Sequence, residues 1–257
     1  MSIKKNVCYW CGELASTREH VPARCFFPSE TLDGKKWDRL ITVRACEKHN
    51  NAKGQFDEYL RNYVVLAAKG IRAQENWNAA LKSILRNDLK EISIVDDEVK
   101  FGIYDENIGF GIEAIARALY FHEYDKCFAG RCSIYYGSYA LECRIAQRNK
   151  EILDYYIKEY NEWSSSICGN HPDVFTYRFG QTDKDGFIPL LICFYETVYA
   201  LAILQEKEQE PLWSNAQLHE AIAKVLEIGI DPLKLMFTTQ GYNHLKEKEK
   251  GQFRKER

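Results

Sequence analysis

The spacing of apolar residues changes near residue 51. Residues 40–46 are rich in β-branched side chains, which is typical of a strand. Beyond Asn51, large apolar side chains recur at steps of three and four residues, which indicates an amphipathic helix that Gly70 could end. The apolar face of this helix contains Phe56, Tyr59, Leu60, Tyr63, Val64 and Ala67. The N-terminal part of the chain is therefore predicted to form a loop, a strand and a helix, in that order.

Residues beyond position 75 combine helical and strand patterns. Helical spacing covers residues 77–89 and 112–124. Two apolar stretches that are interrupted by short polar turns predict hairpins, the first turning at Asp96 and Asp97 and the second at residues 182–185.

The C-terminal part of the chain is predicted to be helical. The later strand of the second hairpin should pass into a helix that continues through Leu204. A last helix should begin after Ser214 or Asn215, which are both good N-caps, and end at Gly229.

These elements predict an α+β fold in two parts, which we call the head (residues 1–75) and the body (residues 76–257). The body is expected to be mainly helical, with hairpins. The 257 residues are enough to bury a full apolar core. Hydrophobic residues make up 46% of the chain and charged residues 28%, as in an ordinary soluble globular protein.

The sequence gives no sign of a membrane segment. No run of eighteen or more apolar residues occurs, and the first residues lack the apolar core of a secretory signal. We therefore expect a cytoplasmic protein with no membrane partner. In a reducing compartment, the nine cysteines are better explained as metal ligands or small buried side chains than as disulfides.

The net charge of −2 argues against a protein that coats nucleic acid along its whole surface. The charge is nevertheless unevenly distributed. The head contains 13 Lys and Arg against 9 Asp and Glu, which leaves 22 against 28 for the body. A polyanionic partner would favour the head, although solvated surface also explains a difference of this size.

Two pairs of metal-binding residues lie in the head. Cys8 and Cys11 have the spacing C-x₂-C, and Cys46 and His49 form a C-x₂-H pair 35 residues later. Two such pairs can surround one Zn²⁺ as a tetrahedron. Because four protein ligands leave no open position for a catalytic water, this zinc is predicted to be structural.

Zinc binding leaves other polar residues of the head unexplained. Glu19 and His20 lie between the two ligand pairs, and Asn50 and Lys53 lie at the start of the predicted helix. Closing the zinc site should bring the two segments together, so His20 and Asn50 are expected to face a common cleft. A neutral imidazole could then take a proton from water, while a hard cation on carboxylate and amide oxygens binds a phosphodiester.

The combined pattern of C-x₂-C, Glu-His-Val-Pro, a strand, and C-x₂-H-N-N-x-K resembles the HNH endonucleases of the ββα-metal type over about residues 6–70. The resemblance implies that His20 is the general base, that Glu19 is the acidic metal ligand and that Asn50 replaces the last histidine of the family name. It also implies that Lys53 contacts a phosphate. A shell of Glu19, Asn50, phosphate and water suits Mg²⁺ or Mn²⁺.

The sequence departs from the family at the middle Asn, which would fall near Ile41 or Thr42. Asp38 or Asn51 could brace the His20 loop instead. Asp57 is about 10 Å along the helix from Asn50, too far to share an ion, and is expected to pair with Lys53.

Several of these residues also have a structural explanation. His20 could cap a loop carbonyl, Glu19 could be a surface acid, and Asn50 could be a helix N-cap. Arg18 and Arg44, together with Arg24, could hold phosphates or be solvated surface.

The sequence is therefore compatible with two functions. The first is a metal-dependent HNH endonuclease that cuts nucleic acid, expected to be DNA, and that takes part in phage defence by analogy with stand-alone family members. The second is a non-catalytic zinc module that binds nucleic acid or a partner protein. The body would then determine substrate choice, form a homodimer or dock a partner protein.

Overall fold

The computed structural model describes residues 6–86, 92–95, 98–101, 105–138, 149–160, 163 and 165–206. These residues combine helices and antiparallel strands, which confirms the predicted mixed α+β composition. The turn expected at Asp96 and Asp97 and the last helix expected after Ser214 or Asn215 lie outside the described residues. No helix among the described residues combines the length and apolarity that crossing a membrane requires.

Two short strands and a long helix make up the head. Strand β1 (Thr17–His20) pairs antiparallel with β2 (Thr42–Ala45), and helix α1 (Glu47–Ala67) follows directly. The helix begins four residues before the predicted start. The reason is that Cys46 has extended backbone geometry and its carbonyl accepts the first helical hydrogen bond, from the backbone N–H of Asn50, at 3.0 Å.

Three further α-helices belong to the described part of the chain, besides a short 3-10 helix at Arg24–Phe26. They are α2 (Ile71–Arg86), α3 (Asp105–Tyr124) and α4 (Lys150–Tyr160). Helices α2 and α3 both pack against α1. The predicted helical stretches thus fall on α2 and α3, but both helices begin several residues earlier than the periodicity indicated. The first predicted hairpin is present as strands β3 (Ile92–Val95) and β4 (Glu98–Phe101).

A five-stranded antiparallel sheet forms the centre of the body. Its spatial order is β5-β9-β8-β7-β6, and it contains the second predicted hairpin as β7 and β8. The five strands are β5 (Arg131–Ser138), β6 (Cys168–His171), β7 (Phe175–Phe179), β8 (Phe187–Phe194) and β9 (Val198–Gln205).

The helix predicted through Leu204 is wrong, because this segment is strand β9. The strand pairs with β5 on one side and β8 on the other, and its residues are mostly buried. A central strand that is buried on both faces has a nearly continuous apolar sequence, which periodicity alone does not distinguish from a buried helix. The described part of the body is therefore a sheet with helices packed on it, and not mainly helical.

Head and body share one apolar core. The ring of Phe26 stacks on that of Phe194 at 5.2 Å between centroids, and the hydroxyl of Tyr195 donates to the carbonyl of Phe26 at 2.5 Å. The boundary predicted after residue 75 lies inside α2, and buried apolar residues on both sides of it belong to the same cluster. The apolar contacts between the head and the body are therefore continuous.

An ion network fastens the loop between β1 and β2 to the body. Arg72 on α2 contacts Asp33 at 2.5 Å, Glu75 at 2.9 Å and Asp173 at 2.7 Å. Lys35 also contacts Asp173, at 2.7 Å. Because Asp173 precedes β7, the network holds the loop against the edge of the sheet.

Two glycines on α3 differ in how closely helix α1 approaches them. A Cβ at Gly109 would meet no atom within 4 Å, whereas a Cβ at Gly111 would lie 3.0 Å from Cδ2 of Leu60 on α1. We expect Gly109→Ala to raise the free energy of unfolding by about 1 kcal/mol, the usual helix-propensity gain. Gly111→Ala should be less stable than Gly109→Ala in denaturant unfolding, since it pushes the helices apart. Equal stabilities would show that α1 and α3 are not in close contact at this point.

Candidate metal centre and candidate active site

The first cysteine pair lies on a tight loop that docks on β2. The backbone N–H of Gly12 donates to the carbonyl of Cys8 at 2.9 Å, and Gly12 has a φ of 76°, a conformation that favours glycine. The N–H of Tyr9 donates to the carbonyl of Arg44 at 2.9 Å. These bonds place the loop beside the end of β2, where Cys46 precedes α1.

The four predicted zinc ligands come together. The Sγ atoms of Cys8, Cys11 and Cys46 and a ring nitrogen of His49 all lie within 4.8 Å of one another. Four atoms at about 2.0–2.3 Å from one ion would be about 3.3–3.8 Å apart at the corners of a tetrahedron. The measured separations are 3.8 Å for Cys8 to His49, 4.0 Å for Cys11 to Cys46 and 3.1 Å for Cys46 to His49. This cluster could hold a metal such as zinc.

The surroundings of the cluster favour the deprotonated form of Cys8 and His49, whereas desolvation raises the pKa of Cys11 to about 11. Burial raises the pKa of Cys8, but hydrogen bonds from the backbone N–H groups around it outweigh this effect and lower the pKa overall. Burial and the charge of Lys48 lower the pKa of His49, so its ring is neutral near pH 7. The indole of Trp10 stacks on the His49 ring at 5.7 Å and fixes its orientation.

Cysteine substitutions test the metal centre. Cys8→Ser and Cys46→Ser should lower the zinc content from about one ion per chain to nearly none and lower the melting temperature, because each removes one of four ligands. Cys127→Ser is the matched control, since the thiol of Cys127 donates to the carbonyl of Cys8 at 3.2 Å without belonging to the cluster. Zinc measured by atomic emission should be unchanged in this control. Full zinc content in Cys8→Ser would show that the ligands are assigned wrongly.

Glu19 and Lys53 lie in a buried ion network instead of a solvent-facing site. The ammonium of Lys53, only 2% exposed, contacts the carboxylate of Glu19 and, at 2.8 Å, that of Asp57. The predicted pair between Lys53 and Asp57 is thus confirmed. The network joins β1 to α1 through side chains that are all buried.

The charges in this network are unequal, with two carboxylates for one ammonium. Burial raises the pKa of Glu19 and of Asp57, and Lys53 only partly offsets this effect. The two carboxylates outweigh the effect of burial on Lys53 and raise its pKa, so this side chain remains charged. The buried hydroxyl of Tyr9 lies beside Glu19.

These contacts do not match the predicted roles of Glu19 and Lys53. The side chain of Glu19 points inward because successive side chains of a strand point to opposite faces, and the inner face of β1 packs on α1. A divalent cation at Glu19 would have to displace Lys53. Lys53 is likewise too deeply buried to contact a phosphate of a bound nucleic acid.

Lys53→Met tests whether the network stabilises the fold. It leaves two buried carboxylates without a counter-charge, so the free energy of unfolding should fall by about 3–5 kcal/mol at pH 7. Without the ammonium, the folded-state pKa values of both carboxyls rise further above their unfolded values of about 4. The folded variant then binds more protons than the unfolded chain, so its stability falls as pH rises through this window and the deficit is smaller at pH 5.

Arg86→Met is the matched control for this measurement. It removes an exposed ion pair of 3.2 Å between Arg86 and Glu58, which should cost less than about 1 kcal/mol. Urea unfolding at both pH values compares the two variants. Similar losses of unfolding free energy in both variants would show that the buried network does not stabilise the fold.

His20 and Asn50 are not brought into one cleft. The amide of Asn50 donates to the hydroxyl of Thr17 at 3.2 Å, and Thr17 shares the inner face of β1 with Glu19. His20 is exposed and lies on the outer face, roughly 10 Å along the strand from Thr17. The expectation that the imidazole and the carboxamide face a common cleft therefore does not match this arrangement.

The loop after His20 is braced by the backbone, without a middle Asn. The N–H of Val21 donates to the carbonyl of Ile41 at 2.9 Å, which places the chain after β1 beside the start of β2. Asp38, one of the predicted substitutes, contacts His171 through its backbone carbonyl at 2.7 Å. Asn51, the other, is exposed on α1.

An open cleft of about 660 Å³ lies on the outer face of β1 and β2. Arg18 and Arg44 line one wall, and the end of α3 and strand β6 form the other. The sequence indicated Arg18 and Arg44 as phosphate-binding candidates. It gave no signal for the residues of the opposite wall, such as Glu123 and Asn170, because they lie more than 70 residues further along the chain.

Comparison of the chain with family models, curated proteins and solved structures gave no match. The resemblance to the HNH endonucleases therefore rests on the residues of the head alone.

Proposed function

We propose that the protein hydrolyses phosphodiester bonds in nucleic acid and that His20 is the general base. The observation that carries this proposal is the exposed imidazole of His20 at the end of β1, in a strand-strand-helix unit that the Cys8, Cys11, Cys46 and His49 cluster closes. The order of these elements and the spacing of the ligands are those of the resemblance to the HNH endonucleases.

The electrostatics of His20 suit a base. Partial burial and the positive charge of Arg24 lower the pKa of the imidazole below its usual value of about 6.5. The ring is then neutral near pH 7 and can accept a proton from an attacking water. Cleavage that depends on this group should decline as pH falls below the lowered pKa.

The described residues do not fit the predicted Mg²⁺ or Mn²⁺ site on Glu19 and Asn50. Glu19 is paired with Lys53, and Asn50 bonds to Thr17 on the inner face, away from His20. We therefore assign no step to a cation at these two residues. Cleavage in the presence of Mg²⁺, Mn²⁺ or EDTA tests whether the reaction requires a divalent cation.

A second function is favoured by the same observations. Because Glu19 and Lys53 neutralise each other inside the fold, the head could serve as a zinc module that binds nucleic acid or a partner protein without cleaving it. DNA is the expected nucleic acid in either case.

A nicking assay on supercoiled plasmid DNA separates the two functions. The wild type should convert the plasmid to the open circle, and His20→Ala should be slower by about 10²–10⁴-fold, the usual contribution of a general base. Lys82→Ala, on the exposed face of α2, should cleave like the wild type. Parallel reactions contain Mg²⁺, Mn²⁺ or EDTA.

Equal cleavage by the wild type and His20→Ala would refute the role of His20. If no protein cleaves in any reaction but the wild type retards the plasmid in a gel, the protein is a binding module. Circular dichroism of each variant checks that the fold is retained.

A further inference from the structure

The outer face of β1 and β2 carries two arginines that face each other. Arg18 and Arg44 are paired in the register of the two strands, so their side chains lie on the same face. Neither has an ion pair among the described residues. Like charges directly opposite each other on a sheet are destabilising by up to about 1 kcal/mol. Fold stability therefore does not explain the pair, whereas a bound anion between the two guanidinium groups would.

A third arginine lines the same cleft from a strained backbone. Arg39 has a φ of 52°, which is uncommon for a residue other than glycine. Two side chains of β6 hold it there: the amide of Asn170 donates to the carbonyl of Arg39, and Nε2 of His171 donates to the carbonyl of Asp38 at 2.7 Å. Strain that the surrounding structure maintains is characteristic of functional sites.

The opposite wall of the cleft offers acceptors for hydrogen bonds. Glu123, at the end of α3, is exposed and accepts a bond at 2.6 Å from the hydroxyl of Tyr177, a residue that is itself buried. Asn170 on β6 is also exposed and lines this wall. The cleft thus combines three guanidinium groups on one side with the carboxylates of Glu123 and Asp125 on the other.

The size of the cleft limits the ligand. A volume of about 660 Å³ lies within the range of roughly 300–1,000 Å³ for small-molecule sites, so the cleft can enclose only a small part of a nucleic acid. A phosphate needs guanidinium donors, and hydroxyl or amino groups of a sugar or base need acceptors. One ligand with both kinds of group at this size is a single nucleotide.

We propose that this cleft binds one nucleotide unit, with its phosphate on Arg18, Arg44 and Arg39 and its sugar or base towards Glu123. The unit is either a free mononucleotide or one nucleotide of a single strand, because both present the same chemistry. The inference deepens the proposed function and rests on it in one respect. His20 lies two residues from Arg18 on the same face, so a bound unit that belongs to a strand would be part of the substrate.

Binding measurements on the zinc-loaded full chain test this site. All binding measurements use the His20→Ala protein as the background, so that the probes are not cleaved. Isothermal titration calorimetry measures the binding of five probes: adenosine 5′-monophosphate, adenosine, inorganic phosphate, a single-stranded oligonucleotide and the corresponding duplex. We expect the mononucleotide to bind more tightly than phosphate, and adenosine not to bind. Arg18→Gln and Arg44→Gln should each weaken mononucleotide binding at least tenfold, the order of magnitude of one lost charge-assisted phosphate contact. Glu123→Gln should weaken it less.

The matched control is Lys82→Gln, which removes an exposed positive charge on α2 and should bind like the background protein. If the oligonucleotide competes with the mononucleotide, the natural ligand is one nucleotide of a strand. If the mononucleotide binds and the oligonucleotide does not compete, the natural ligand is a free mononucleotide. The proposal is overturned if the mononucleotide does not bind, if only the duplex binds, or if Arg18→Gln and Arg44→Gln bind like the control.

The binding measurements and the nicking assay together distinguish a failure of the cleft proposal from a failure of the proposed hydrolase. Cleavage by the wild type together with unchanged binding in the arginine variants would remove the cleft and leave the proposed hydrolase. Loss of mononucleotide binding in the arginine variants, with no cleavage by the wild type, would remove the hydrolase and leave the cleft.

Discussion

The buried ammonium of Lys53 determines which side of β1 is inside the protein. It contacts Glu19 on the strand and Asp57 on α1, and all three side chains are shielded from water. A buried charge without its partners is strongly unfavourable, so the strand cannot turn its other face to the helix without breaking the network. Because side chains alternate along a strand, this contact also forces Arg18 and His20 outward. The inner face of β1 therefore stabilises the fold, and the outer face is available for binding.

The Cys/His cluster secures the ends of the same unit. Its ligands lie on the N-terminal loop and at the junction of β2 and α1. Trp10 extends this region to the body, since it stacks on His49 and lies under the guanidinium of Arg117 on α3, 5.1 Å from the ring. The Cys/His cluster and the shared apolar core thus both hold the head against the body, and the cleft forms where the two parts meet.

The parts of the structure that sequence analysis predicted depend on local spacing. The Cys8–Cys11 and Cys46–His49 pairs, strand β2 and helix α1 each follow from residue types within a few positions of one another. The errors arise where distant contacts decide. Strand β9 has an apolar sequence that suits a helix, but pairing with two neighbouring strands makes it extended. Glu19 and His20 are adjacent in sequence, which suggested a shared site, yet alternation along β1 separates them. Glu123 and Asn170 reach the cleft only through the packing of α3 and β6.

The pairing of Glu19 with Lys53 also changes which groups could neutralise a bound phosphodiester. The inner carboxylates of Glu19 and Asp57 already share one internal ammonium, that of Lys53. In the cleft, Arg18, Arg44 and Arg39 supply positive charge, and guanidinium groups match phosphate oxygens in geometry. Fixed donors that point at the position where charge develops stabilise a transition state without reorganising. His20 lies two residues from Arg18 on the same strand face, so under the proposed function a base and a fixed positive charge occupy the same face of β1.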